Sequence, residues 1–153
     1  MKLRELCEAI DFDIDDFLRT GHQTPSMCTE TVSVYIIACS KYLKVGKARD
    51  VAARMDSLQA ACPLEMKLVT TRELIGTRYA LLCERTTHKI LAHLHHRGEW
   101  FQCKRGVATL ALDIAFRATQ ILRRKHMQRL LRPVNDNVAA MVFPYSPMAR
   151  RGQ

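Results

Sequence analysis

Four polar residues in the middle of the chain carry side chains from which a phosphate-handling site could be built: Tyr35, Lys44, Arg54 and Glu84. A phenol can pack its ring in a core while its hydroxyl reaches a cleft, and a lysine can hold a phosphate as a point charge. A guanidinium suits bidentate contact with a phosphate, and a carboxylate is an oxygen ligand for Mg²⁺. Each residue also has a purely structural interpretation. Tyr35 would be a core tyrosine and Lys44 an exposed hairpin lysine. Arg54 would pair with the aspartate four residues before it, and Glu84 would be a solvated helix charge.

Three further residues are expected near this set. Tyr42 lies two residues before Lys44 on the same face of a predicted strand, so it can offer a second hydroxyl. His88 follows Glu84 by one helical turn, and Glu99 belongs to a later Glu-Trp-Phe segment. A zinc site on the histidines between positions 88 and 96 is a weaker alternative, because no cysteine spacing accompanies them.

These residues occur in a definite order along residues 32–103. VYII is followed by KVG, by an arginine eight residues after Gly46, by a glutamate with a histidine four residues later, and by GEWF. The ordered set resembles the GIY-YIG nuclease superfamily, and most closely its small branch known from phage and bacterial proteins and from a meiotically up-regulated yeast gene. Each element is short, so the order carries more weight than any single motif.

The resemblance implies a metal-dependent DNA endonuclease, with RNA as an alternative substrate. In that mechanism Tyr35 activates a water, assisted by Lys44 or Tyr42, and Arg54 steadies the charged transition state. A single Mg²⁺ or Mn²⁺ ion on Glu84 stabilises the departing 3′-oxygen. His88 and Glu99 are possible auxiliary residues.

Three positions depart from the family pattern. Ser33 replaces a glycine, Lys44 stands where many members have a second tyrosine, and Leu58 stands where several have histidine or tyrosine. These departures support the rival hypothesis of a catalytically impaired nucleic-acid-binding or regulatory module on the same fold.

The positive charge of the chain is concentrated toward its carboxyl end. Of 24 lysines and arginines, 10 lie in residues 104–153 beside only 2 acidic residues, whereas residues 1–30 carry 3 basic and 7 acidic groups. A basic body favours a polyanionic partner, most commonly nucleic acid, although an idle basic surface gives the same count. The candidate nucleic-acid contacts are Lys47, Arg49, Arg123, Arg124, Lys125 and Arg129.

The hydrophobic pattern predicts an α/β (α+β) domain with a small three-stranded sheet flanked by helices. Strands are expected over 31–39, 42–48 and 66–74, and helices over 50–61, 77–95 and 107–131. The last helix is expected to bury five residues on one stripe: Val107, Leu110, Ile114, Ala118 and Ile121.

Four segments follow from this reading. Residues 1–30 form an acidic helical segment, 31–103 the GIY-YIG-like domain, 104–132 a basic amphipathic helix packed on it, and 133–153 a mobile tail. Residues 1–22 are a possible docking segment for a protein partner, or a cap over the core. The sequence leaves the oligomeric state open.

Hydropathy and cysteine spacing limit the class of protein. No stretch approaches the roughly 18 apolar residues that a membrane span needs, and the first 16 residues are acidic rather than basic and apolar. The six cysteines form no Cys-x-x-Cys pair, which favours buried thiols over a zinc ribbon or a disulfide framework. We therefore expect a cytoplasmic protein without a membrane interaction.

Overall fold

A β-hairpin opens the part of the chain that the computed structural model describes, residues 29–130. Strand β1 (Thr31–Cys39) is dense in β-branched and aromatic residues, and β2 (Tyr42–Ala48) pairs with it antiparallel, with Tyr35 opposite Gly46. Ser40 makes the tight turn with a φ of 54°. The predicted hairpin is confirmed.

Helix α1 (Val51–Ala60) and strand β3 (Met66–Ile75) follow the hairpin. The Asp50 carboxylate caps α1 by accepting a hydrogen bond of 2.9 Å from the Ala53 amide, as its position before the helix predicts. Strand β3 pairs antiparallel with β1 on the side away from β2, so β1 lies between two long strands and is buried along almost its whole length.

The second half of the domain contains two helices and two short strands. Helix α2 (Thr77–Ile90) leads through a 3₁₀ turn (Ala92–Leu94) into β4 (His95–Arg97) and β5 (Trp100–Phe101), and helix α3 (Arg105–Leu130) ends the described chain. The five strands form one sheet in the order β3-β1-β2-β5-β4.

The α+β class is confirmed, and each of the three predicted strands is present. The predicted total of three strands is wrong, because the sheet has five. Strands β4 and β5 are only three and two residues long, and β4 is fully exposed, so neither shows the alternation by which a strand is recognised. The helix expected to reach residue 95 ends at Ile90 instead. Its apolar spacing continues through Leu94, but that residue belongs to the 3₁₀ turn, and its carbonyl accepts from the Gln102 amide.

The two faces of the sheet carry separate apolar clusters. Val34 and Ile36 point to the face covered by α2 and α3, where the larger cluster forms. Tyr35 and Ile37 point to the opposite face, where the smaller cluster packs against Met55 of α1 and its neighbours. Successive side chains of β1 and β2 therefore lie on opposite faces of the sheet and face different helices.

Helix α3 buries a different stripe from the predicted one. Val107, Leu110 and Ile121 are 43%, 61% and 44% exposed, Ile114 is half-buried, and of the five predicted residues only Ala118 is buried. The buried stripe is mostly small: Ala108, Ala111, Leu112, Ala115, Ala118, Thr119 and Leu122. Alanine carries little apolar weight in a sequence pattern, yet it lets α3 approach α2 closely, and this contact determines how α3 is rotated.

Several predictions fall outside the described residues: the acidic helical segment through residue 28, its docking role over residues 1–22, and the tail at 133–153. The division of the domain at residue 103 also stays a prediction. None of the helices in the described stretch is long and apolar enough to cross a membrane. The four described cysteines, Cys39, Cys62, Cys83 and Cys103, are free thiols, and burial raises the pKa of Cys83 to about 12.

Candidate functional site

Tyr35 lies across the backbone of the neighbouring strand. It is paired with Gly46 in the hairpin register, and its side chain is almost completely buried. A Cβ atom at Gly46 would lie 2.6 Å from the Tyr35 hydroxyl oxygen and 2.8 Å from Cζ, closer than real Cβ contacts come. The glycine therefore lets the tyrosine hydroxyl pass over β2.

Replacing Gly46 by alanine is expected to displace the buried Tyr35 ring. Overpacking of this kind costs about 1–3 kcal/mol of unfolding free energy, which urea denaturation measures. Gly106→Ala is the matched control, because a Cβ there meets nothing within 4 Å. Alanine is the better helix former, so the control should gain up to about 1 kcal/mol. Equal stability of Gly46→Ala and wild type would contradict the steric account of Gly46.

Arg54 reaches the same hydroxyl from α1. Its Nε donates to the Tyr35 oxygen across 3.5 Å, while most of the guanidinium faces solvent. The hydrogen bond and the charge interaction with Tyr35 raise the pKa of Arg54 above its ordinary value, so it stays charged. Asp50 caps the helix instead of pairing with Arg54, and the guanidinium keeps donors for a ligand.

Lys44 and Glu99 form an ion pair beside this contact. Lys44 is buried, donates to the Glu99 carboxylate, and lies over the Trp100 ring with its ammonium 5.6 Å from the centroid. Partial burial raises the pKa of Glu99, but the hydrogen bond and charge of Lys44, with the charges of His88 and Arg54, outweigh it and lower the pKa overall. The alternative of an exposed hairpin lysine is therefore wrong.

Glu84 lies on the opposite face of the sheet. Its carboxylate is buried between α2 and β2 and accepts a hydrogen bond of 2.6 Å from Lys47, so it is not a solvated helix charge. One turn later, His88 Nε2 donates to the Val45 carbonyl oxygen across 3.0 Å. Glu84 and His88 therefore approach β2 from the α2 side.

The two groups of side chains meet one short stretch of β2, residues 44–47. Strand β5 pairs with β2 only at Leu43 and Lys44, and the Val45 amide donates to the Glu99 carbonyl oxygen. Beyond that point, no strand of the described region pairs with the outer edge of β2. We call this stretch without a paired strand the open edge of β2; Tyr35 and Arg54 lie on one face of the sheet beside it and Glu84 on the other.

The structure does not bring Tyr42 into this site. Tyr42 pairs with Cys39 at the turn of the hairpin and stacks on His96, with ring centroids 4.5 Å apart. It lies four residues from Gly46, which is about 13 Å along an extended strand. Tyr42 is therefore poorly placed to supply the second hydroxyl.

The basic candidates lie around one end of the sheet. Arg49 pairs with Glu30 at 2.8 Å, and Thr77 at the start of α2 donates to the same carboxylate across 3.4 Å. Tyr79 in the first turn of α2 contacts His126 of α3 at 2.5 Å, so the basic end of α3 lies at the end of the sheet where β1 begins and β2 ends. Arg124 and Lys125 are exposed there, Arg123 is half-buried, and the Arg129 side chain lies outside the described part.

A magnesium ion would depend on Glu84 and its surroundings. Among residues 29–130, no group of three or more His, Cys, Asp or Glu side chains is placed to hold a metal. The Lys47 contact uses Oε2 of Glu84, and no described contact uses Oε1. One carboxylate oxygen completed by waters and substrate phosphate fits the way Mg²⁺ binds, so the donor chemistry is suitable.

Sequence reasoning missed two relationships. Lys47 was expected only as a nucleic-acid contact, but it is the ion-pair partner of Glu84. The steric role of Gly46 against Tyr35 also went unnoticed. Strand alternation alone predicts that the side chains of Lys44 and Lys47 lie on opposite faces of the sheet. The partner of each lysine depends on how the β4–β5 segment and α2 pack against β2.

The fold and the site define an α+β domain in which two lysines of β2, each paired with a glutamate, lie near the contact of Tyr35 with Arg54. Residues 32–116, more than half of the chain, match the T5orf172 domain model, and the chain belongs to this family. The family is a nuclease-like domain of phage type. No curated protein and no solved structure gives a significant match to the chain.

Proposed function

We propose that this protein is a metal-dependent endonuclease that hydrolyses DNA phosphodiester bonds by a GIY-YIG-type mechanism. The observation that carries the proposal is the contact of Arg54 with the Tyr35 hydroxyl over Gly46. This contact joins a phenol, a permanently charged guanidinium and an obligatory glycine at an open strand edge. The nuclease-like family supports the same conclusion.

Each of these residues has a distinct task in the proposed reaction. Tyr35 orients and activates the attacking water, and the Arg54 guanidinium, with donors facing solvent, binds the scissile phosphate and stabilises its developing charge. The ion pair with Glu99 holds the Lys44 ammonium in position as a fixed positive charge beside them. Glu84 reaches the same edge of β2 from the other face of the sheet, and there it would hold Mg²⁺, which would supply positive charge to the departing 3′-oxygen.

DNA would approach along the end of the sheet that carries Lys47, Arg49 and the basic end of α3. Contacts from such side chains to the DNA backbone position the duplex without reading its sequence. The proposed substrate is therefore a phosphodiester backbone, and the described contacts contain no base-reading element.

The direct test is nicking of supercoiled plasmid by the full chain. We expect conversion to open-circular DNA with Mg²⁺ or Mn²⁺, loss of cleavage in EDTA, and recovery when the metal is added back. Gel separation of supercoiled and open-circular forms measures the rate. Cleavage that persists undiminished in EDTA would contradict the proposed metal dependence.

A binding module that has lost cleavage is the second candidate. Two ion pairs favour this function. Lys44 pairs with Glu99 and Glu84 pairs with Lys47, so the charges of the two proposed catalytic residues, Lys44 and Glu84, are neutralised inside the protein. A chain that binds DNA with strong salt dependence, yet cleaves neither duplex nor branched DNA with Mg²⁺ or Mn²⁺, would establish this function instead.

A further inference from the structure

Lys47 lies next to Oε2 of Glu84, where a metal ion bound to this oxygen would lie. Its ammonium lies 2.6 Å from Oε2 of Glu84, whose side chain is 8% exposed, while the Lys47 side chain is 31% exposed. The carboxylate is thus enclosed by the fold, and the lysine reaches it from the solvent side.

A buried carboxylate is costly unless a positive charge or hydrogen-bond donors compensate it. Among the described residues, Lys47 is the only cationic partner within ion-pair distance of Glu84. A divalent ion bound at Oε2 would lie within about 4 Å of this ammonium, where the two like charges repel each other. The lysine and the ion therefore compete for the same carboxylate.

The Lys47 side chain can move into solvent beside β2 when an ion displaces it from Glu84. Lysine is a compact charge on a flexible four-carbon stem, and Lys47 lies near the end of β2, one residue before the half-buried Ala48 and two before the exposed Arg49. The strand edge on which Lys47 lies is open beyond its pairing with β5. A displaced Lys47 would thus extend into the space where the proposed DNA backbone lies.

We propose that Lys47 is a stand-in cation: it neutralises Glu84 in the metal-free protein, and the incoming divalent ion releases it toward a DNA phosphate. The inference rests on the proposed function, since it takes Glu84 as the metal ligand. It makes Lys47 a positioning residue that lowers metal affinity in the absence of DNA. Because coupling between two ligands is reciprocal, DNA that captures Lys47 strengthens metal binding to the same degree.

The test measures Mn²⁺ binding to the full chain without DNA, from the electron paramagnetic resonance signal of free Mn²⁺. Lys47→Met removes the charge and keeps most of the side-chain length, so we expect Mn²⁺ to bind about tenfold more tightly or better than in wild type. Lys47→Arg restores a cation and should return the affinity to within about twofold of wild type. Lys67→Met is the matched control, because Lys67 pairs with Glu65 at 3.2 Å on the surface.

Three results would overturn the inference. The first is a Lys47→Met protein whose Mn²⁺ affinity equals that of wild type or falls below it, which would mean that lysine and ion occupy different oxygens. The second is an affinity gain that survives in the Lys47→Met, Glu84→Gln double variant, which would place the ion elsewhere. The third is the absence of Mn²⁺ binding in both wild type and Lys47→Met.

A measurement on the wild-type chain covers the case in which Lys47→Met does not fold. Saturating Mn²⁺ should raise the rate of Lys47 acetylation by an amine-reactive ester at least about threefold, read by peptide mass spectrometry, while Lys67 stays unchanged. An unchanged Lys47 rate would reject the displacement. Plasmid nicking is scored separately: Mn²⁺ binding that displaces Lys47 without any nicking would keep this inference and reject the nuclease.

Discussion

Replacing Glu84 by glutamine is expected to reduce metal-dependent nicking on the order of 10³-fold, because several kcal/mol of charge stabilisation depend on this single carboxylate. The substitution keeps the size and helix propensity of the side chain and removes only the negative charge. Nicking of supercoiled plasmid at saturating Mg²⁺ measures the effect. DNA binding without metal should persist, and it should tighten slightly because the negative charge that neutralises Lys47 is removed.

Glu65→Gln is the control for this substitution, since Glu65 is an exposed glutamate whose lysine partner also lies on the surface. Its nicking rate should match wild type. Thermal unfolding separates a chemical effect from a folding defect, because Glu84→Gln still accepts a hydrogen bond from Lys47. An undiminished rate in Glu84→Gln would remove Glu84 from the reaction and with it the proposed metal site.

Removing the Tyr35 hydroxyl is the second substitution with a large expected effect. Tyr35→Phe should lower the nicking rate about 10²- to 10⁴-fold, the contribution of a positioned proton-transfer group. The ring still fills its place over Gly46, so the cost in stability is limited to one long hydrogen bond with Arg54, about 1 kcal/mol or less. Single-turnover nicking and urea denaturation measure the two quantities.

Tyr79→Phe controls for the loss of a buried tyrosine hydroxyl. Tyr79 contacts His126 away from the open edge of β2, so this variant should lose some stability and keep its nicking rate. Tyr42→Phe tests the alternative hydroxyl on the same strand face. A large loss in Tyr42→Phe, with little change in Tyr35→Phe, would transfer the role to Tyr42 and contradict the geometry of the hairpin.

The hairpin and α1 were predictable because their signals are local. β-Branched residues fill β1, a two-residue link joins it to β2, and Asp50 precedes an uninterrupted helical segment. The contact of Tyr35 with Arg54 follows from these elements and the family resemblance together. Local pattern therefore predicts the half of the site that one hairpin and the next helix build.

The other half of the site depends on tertiary packing. Glu84 was expected to be a metal ligand, but its burial and its pairing with Lys47 depend on where α2 crosses β2. Glu99 reaches Lys44 only because a two-residue strand pairs at that position. No periodic pattern encodes such a contact, because it joins residues 55 positions apart through one short pairing.

Helix α3 shows the same difference between pattern and packing. The aliphatic residues at 107, 110 and 121 form a regular stripe in the sequence, yet the alanines beside them face α2. Small side chains allow two helices to pack closely, but they contribute little to a hydrophobicity pattern. The long basic helix was predictable from composition and spacing, whereas its rotation was not.

The attachment of Glu99 to the sheet has a consequence for local stability. The β4–β5 segment pairs with β2 through only two residues, while β1 pairs with β3 along its whole length and with β2 over residues 33–39. Segments with few backbone bonds open at a lower free energy than the global transition and exchange their amide hydrogens sooner. Opening of residues 95–101 would therefore separate Glu99 from Lys44 while the three long strands stay paired, and it would expose Phe101, which the closed segment buries in the main core.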